Sequence, residues 1–304
     1  MGKNIFHIKA LYINNVNINR GNIMVYSAEI SRRSPTCFIF LIDQSGSMED
    51  PFGGDKTKKK ADSVANAINK LLQNLVIKCA KGGEVRDYFH VGVIGYGYEN
   101  NGVGPAFSGP LLGKDLVPIS EIANNPSRIE ERTKKIEDGA GGLVDQTIKF
   151  PIWFDSVAVN GTPMCKAFTY VMKILEDWLN EYPNSYPPIV INITDGESTD
   201  GTPLDISESI KSLSTSDGNV LLFNVHLSSH ESNPILFADS SENLPDEYAK
   251  LLFEMSSTLP EYMQNVAKME GHSISSSSRG FVFNADPVSV IQFLDIGTRP
   301  SNLR

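Results

Sequence analysis

The sequence has little of what would place a chain at once in a familiar class. It has three cysteines, Cys37, Cys79 and Cys165, far apart and with no CxxC pair. That argues against a disulfide framework or a thiolate zinc site and suits a reducing compartment. No apolar run approaches the roughly 20 residues that a membrane-spanning helix needs. The first residues, MGKNIFHIKALYINN, lack the sustained apolar core of a signal peptide, and Phe6 stands where a myristoylation signal has Ser or Thr. A cytoplasmic protein with no membrane role is the expectation. Basic surplus is also missing: 27 Lys and Arg face 36 Asp and Glu, for a net charge of −9. Nucleic-acid binders carry the reverse balance or a dense basic stripe. The nearest basic run, Lys56, Lys58, Lys59 and Lys60, reads as the solvated first turn of a helix. There is no GxSxG, no P-loop, no carboxylate pair with an evident acid–base role and no repeat at solenoid spacing. No catalytic residues are assigned, and a non-enzyme is expected.

What is present is an ordinary globular composition, 40% hydrophobic and 21% charged, with strand and helix signals in alternation. Cys37–Ile42 is a continuous apolar run of the kind buried on both faces of a parallel sheet. Ala61, Val64, Ala65, Ile68, Leu71, Leu72, Leu75 and Val76 then recur at helical spacing, and Gly82-Gly83 is expected to end that helix. Strands follow at His90–Ile94, Ile189–Ile193, Val220–Leu227 and Gly280–Phe283. Helices are expected from Met164 to Trp178, with Thr162 as cap and Pro163 as first helical residue, and at 204–213, 246–255, 260–269 and 287–294. The order predicts an α/β fold: a doubly wound, mostly parallel central sheet with helices on both faces. Residues 34–304 read as one domain, with an insertion at about 98–150 and a C-terminal extension after about 228. Within the insertion a hairpin or ordered loop is expected around Leu111–Ile119 and a short helix near Ser127–Glu137. Residues 1–33 read as an extension. Either Met24 is an alternative start, or Leu11–Ile18 and Ile23–Ala28 pair as a hairpin around Arg20-Gly21.

One constellation carries chemistry. Asp43 leaves the end of a buried strand, and Ser45 and Ser47 follow at two and four residues. Asp195 also directly follows a buried strand, and Thr162 sits at a loop-to-helix junction. In open α/β sheets, ligands bind where loops diverge at the carboxyl ends of strands. Two carboxylates and three hydroxyls are all oxygen donors, the set that a hard divalent cation takes. Mg²⁺ is the default, and Mn²⁺ and Ca²⁺ suit the same donors. With the hydroxyls coordinating directly and the aspartates acting through water, the ion stays under-neutralised and seeks an outside anion. A carboxylate of another protein satisfies it. Met48 and Phe52 are placed either at the rim of this site or in loop packing. His226 and His230, four apart, fall at a strand end and in a loop, so a zinc pair is not expected there.

The pattern Asp43-Gln44-Ser45-Gly46-Ser47, then Thr162 in GTPM, then Asp195 in TDG, resembles the metal-ion-dependent adhesion site of von Willebrand factor A domains. The resemblance spans roughly residues 34–227. It implies a Rossmann-like fold and a ligand role for those five residues. The segments DQSGSM, NGTPM, ITDGES, LPDEYAKLLFEMSSTLPEYM and RGFVFNAD are similar to bacterial stand-alone members of the tellurium-resistance type. That likeness implies an adaptor in a stress-response or defence system, with a Ser/Thr phosphatase or kinase as partner. A metal-dependent hydrolase or phosphatase, or an adaptor of an AAA-type ATPase, is the alternative.

Overall fold

The computed structural model describes residues 26–52, 55–137, 142–227 and 233–298; both candidate strands at the N-terminus, apart from the end of the second, and His230 lie outside them. Its frame is an eight-stranded sheet. In chain order the strands are β1 (Thr36–Asp43), β2 (Phe89–Tyr98), β3 (Gly102–Pro105), β4 (Val117–Pro118), β7 (Ile189–Thr194), β8 (Leu221–Leu227), β9 (Ile235–Leu236) and β10 (Phe281–Ala285). Two further strands, β5 (Arg128–Glu137) and β6 (Leu143–Ile152), form a separate ribbon. The sheet order is β9-β10-β8-β7-β1-β2-β3, with β4 also on β2. The five inner strands, β10-β8-β7-β1-β2, run parallel, and the edge strands are antiparallel. This is the doubly wound α/β sheet that the strand–helix alternation predicts.

All eight residues of β1 are buried, because the strand is covered on both sides. Phe38, Phe40 and Ile42 face α1 (Lys60–Cys79), α2 (Ile119–Asn124), α6 (Glu261–Met269) and α7 (Pro287–Gly297). Cys37, Ile39 and Leu41 face α3 (Met164–Glu181), α4 (Leu204–Ser212) and α5 (Glu247–Met255). Each such side chain contributes about 1.5–3 kcal/mol by leaving water. From β1 the chain winds outward through α1 to β2. After the insertion it returns through α3 to β7, on the other side of β1. The order therefore reverses between β1 and β7, where doubly wound sheets open a crevice.

Three local expectations are corrected. Gly82-Gly83 is not a helix cap: α1 ends at Cys79, and the glycines, at φ 62° and 84°, turn a short hairpin joining Ala80–Lys81 to Glu84–Val85. Two successive positive φ values are what a tight hairpin turn demands. The segment expected as a helix near Ser127–Glu137 is a strand from Arg128 to Glu137. Its charges find opposite partners directly across the ribbon, Glu131 on Lys149 and Lys135 on Asp145, and the Arg132 guanidinium lies over the Phe150 ring at 3.7 Å. Cross-strand pairs of this kind outweigh a weak helical preference. The helix expected there lies earlier, as α2. The lysine run is not a solvated helical turn either: Asp55–Lys59 is a strand paired with Pro51–Phe52, and α1 starts on a buried Lys60.

Asn69 of α1 holds the segment that leaves the ribbon. Buried Asn69 accepts from the backbone N–H groups of Trp153 (2.8 Å) and Phe154 (3.1 Å) and donates to the carbonyls of Ala65 (2.9 Å) and Phe154 (2.8 Å). Asn69→Ala strands two buried N–H groups, so a loss of about 2–4 kcal/mol is expected in denaturant melts.

Candidate cation site at the sheet switch

The carboxyl ends of β1 and β7 lie side by side, with Ile42 opposite Ile193. They bring Asp43 next to Thr194 and Asp195. Asp43 is fully buried. Its Oδ1 accepts from the Ser45 backbone N–H at 2.9 Å and its Oδ2 from the Thr194 hydroxyl at 2.7 Å. Burial pushes its carboxyl up to about 6, with the nearby Asp195 charge adding to the rise and the hydrogen bonds opposing it. The Tyr248 hydroxyl on α5 donates to Thr194 Oγ1 at 3.3 Å, so a chain of hydrogen bonds runs from α5 to the floor of the site.

The loop after β1 turns Ser45 and Ser47 toward each other, with their hydroxyls 3.1 Å apart, and Ser47 donates to Asp195 Oδ1 at 2.7 Å. Thr162 arrives on a third segment. Gly46 N–H donates to the Asn160 carbonyl at 2.8 Å, and Asn160 N–H to the Gly97 carbonyl at 3.0 Å. Gly97 makes this approach possible. It sits at φ +93°, and a Cβ there would lie 2.2 Å from the Gly161 carbonyl oxygen and 3.2 Å from Ser45 N. The Thr162 hydroxyl is turned toward Gly196: a Cβ on Gly196 would lie 3.6 Å from Thr162 Oγ1 and 3.8 Å from Ser47 Oγ. The two hydroxyls thus face one small space over a residue without a side chain.

All five residues singled out in the sequence meet here, although Thr162 is not the helix cap. α3 begins at Met164, whose N–H donates to the Thr162 carbonyl at 2.8 Å, and the next two N–H groups, on Cys165 and Lys166, are satisfied by the Asp200 carboxylate at 3.0 Å each. Asp200 therefore caps α3 from a different loop, and Thr162 keeps its hydroxyl for the site. Met48 and Phe52 are buried in the core, so they pack the loop rather than rim the site. The sequence reading missed Lys60. Its ammonium donates to Asp195 Oδ2 at 2.7 Å, with both side chains buried, and lies 4.0 Å from Asp50. Thr194 is missed as well, though its place beside Asp195 in ITDGE, a hydroxyl at a strand end, is a signal that could have found it. Tyr248, Thr199 and Asp200 carry no local signal. Thr199 accepts from Thr162 N–H at 3.1 Å, which holds the third segment in place.

The residues fit a hard cation better than a soft one. Among the described residues, no group of three or more His, Cys, Asp and Glu side chains converges; the donors here are hydroxyls and carboxylates, the choice of Mg²⁺, Mn²⁺ or Ca²⁺. Ser47 and Gly46 are exposed while Asp43, Ser45 and Thr162 are buried, so the site opens to the surface on the Ser47 side.

His226, one strand further along, reports on acid stability. Its ring stacks on Phe283 at 4.6 Å, and its Nδ1 accepts from Asn284 N–H at 3.3 Å. Burial lowers its pKa to about 4, against the pull of Asp246 and Asp195. The fold favours neutral imidazole. Its contribution is complete above the unfolded value near 6.5 and is lost as pH falls from there to about 4. His226 is expected to take away about 3 kcal/mol across that window, while the raised carboxyl of Asp43 works in the opposite sense below about pH 6, so the effect is read as the difference between wild type and His226→Phe in melts run from pH 7 to pH 4.

No protein-family model matches the chain, and no curated protein matches it. Among the described residues no helix is long and apolar enough to cross a membrane. Solved structures similar to the chain include the vWF domain of the type V pili tip protein Mfa5 from Porphyromonas gingivalis. That likeness has 13% identity and a TM-score of 0.31, covering 55% of this chain and 39% of that one. At that TM-score it carries no argument, and the fold class stands on the strand order and register given above.

Proposed function

We propose that the chain is a cation-dependent protein-binding module. Asp43, Ser45, Ser47, Thr162 and Asp195 hold one hard divalent cation, with Mg²⁺ as the default, and the cation supplies a Lewis-acidic contact for an acidic side chain of a partner protein. The observation that carries this reading is that the Ser47 and Thr162 hydroxyls both come within 4 Å of the point a Cβ on Gly196 would occupy, beside Asp195. Both oxygens of Asp43 are already engaged by protein donors, which suits a carboxylate acting through water while the hydroxyls coordinate. Neutral hydroxyls leave the site short of negative charge, and an external carboxylate completes it. The exposure of Ser47 gives such a group a way in.

The test is recovery of the native assembly on tagged full-length protein in Mg²⁺ buffer. The partner should elute with EDTA, rebind when Mg²⁺ is restored, and be absent from an Asp43→Ala bait that still melts cooperatively. A partner retained through both treatments overturns the reading. Phosphoester turnover that disappears in Asp43→Ala would instead assign the site to a hydrolase.

A further inference from the structure

We propose that Lys60 is a positioning residue that sets the charge a bound cation meets. This rests on the cation-site reading above and concerns its regulation. Asp195 divides its carboxylate: Oδ1 accepts from Ser47 at 2.7 Å and Oδ2 from the Lys60 ammonium at 2.7 Å. Neither of the paired side chains meets solvent to any extent, at 5% exposure for Lys60 and 0% for Asp195. Water therefore screens this ammonium little, and a fixed positive charge stands one carboxylate away from the hydroxyl row. Its position is built into the fold. The Pro51–Phe52 and Asp55–Lys59 hairpin carries the chain from the serine loop to the start of α1, where Lys60 N–H donates to the Asp50 carbonyl at 3.0 Å.

Two consequences follow. The carboxylate cannot rotate to offer both oxygens to a cation without giving up the ammonium. And the buried charges, Asp43, Asp195 and Lys60, sum to one negative charge when all are ionised, with Asp50, 4.0 Å from Lys60, standing in screening solvent, so a divalent ion leaves the buried set net positive. Lys60 thereby weakens cation affinity and sharpens the demand for an outside carboxylate.

The experiment is calorimetric titration of full-length protein with Mg²⁺, and luminescence titration with Tb³⁺. Lys60→Met should bind Mg²⁺ about tenfold more tightly or better, the scale of one removed charge in a partly screened site. Lys60→Arg should stay within about threefold of wild type. Coulomb energy scales with ion charge, so the gain should be larger for Tb³⁺ than for Mg²⁺; packing damage has no such dependence. Lys60→Gln, which keeps a donor toward Asp195 without the charge, carries the same expectation and covers the case in which the methionine variant fails to fold. Affinity that is unchanged or weaker in a folded neutral variant overturns the proposal, while wild type still binding Mg²⁺ leaves the cation site standing. A wild type that binds neither ion overturns both.

Discussion

Gly97→Ala is expected to lose about 3 kcal/mol or more of stability and to weaken cation binding more than tenfold in whatever remains folded. The reason is steric and local. At φ +93° an L side chain is strained, and the new Cβ would sit 2.2 Å from the Gly161 carbonyl oxygen. That atom is backbone, so it cannot swing away. The loop carrying Ser45 and the loop carrying Thr162 must separate, which pulls apart the proposed ligands from two sides of the site. Gly113→Ala is the control. Gly113 also has a positive φ, +80°, but a Cβ there meets nothing within 4 Å, so only the conformational penalty of about 1–2 kcal/mol applies. Denaturant melts and Mg²⁺ titration of the two variants separate close approach from backbone strain.

Asp195→Ala should produce the second large effect. It removes a proposed cation ligand and the acceptor for the Ser47 hydroxyl, and it leaves the buried Lys60 ammonium without its 2.7 Å partner. Breaking one side of a buried ion pair costs about 3–5 kcal/mol, largely because the remaining charge is desolvated and unmatched. Lys60→Met combined with Asp195→Ala should recover most of that stability and none of the cation binding. If the double variant is no more stable than Asp195→Ala, the cost lies elsewhere, in the lost hydroxyl contact or in packing. A melt of the four members of this cycle decides the point.

How far the site was legible depended on how local its signals are. Asp43 and Asp195 were readable because each follows an unbroken apolar run, which marks a strand covered on both faces, and a polar residue at its carboxyl end must lie at the sheet edge. Ser45 and Ser47 came with Asp43 by spacing. Thr162 was readable as a residue at a helix start, but the reason given for it, capping, belongs to Asp200, which is distant in sequence. Lys60 was misread because a run of four lysines suggests solvent. Only the tertiary fold shows that the last of them turns inward to a carboxylate 135 residues away. The ribbon of β5 and β6 was misread for a similar reason, since the charges of Arg128–Glu137 suit a helix or a strand equally until Leu143–Ile152 lies beside them. The fold class itself needed only the alternation of strand and helix. The strand order, and with it the switch between β1 and β7 that gathers the five residues, is a property of the whole chain.

The central claim is that these five side chains hold a single cation. It is tested most directly by titrating metal-free full-length protein with Mg²⁺ in a calorimeter, alongside folded Asp43→Ala, Ser47→Ala and Thr162→Ala variants. The account predicts one saturable site in the wild type, lost in Asp43→Ala and weakened in the two hydroxyl variants. A wild type without a saturable site, or an affinity that all three substitutions leave unchanged, would contradict it.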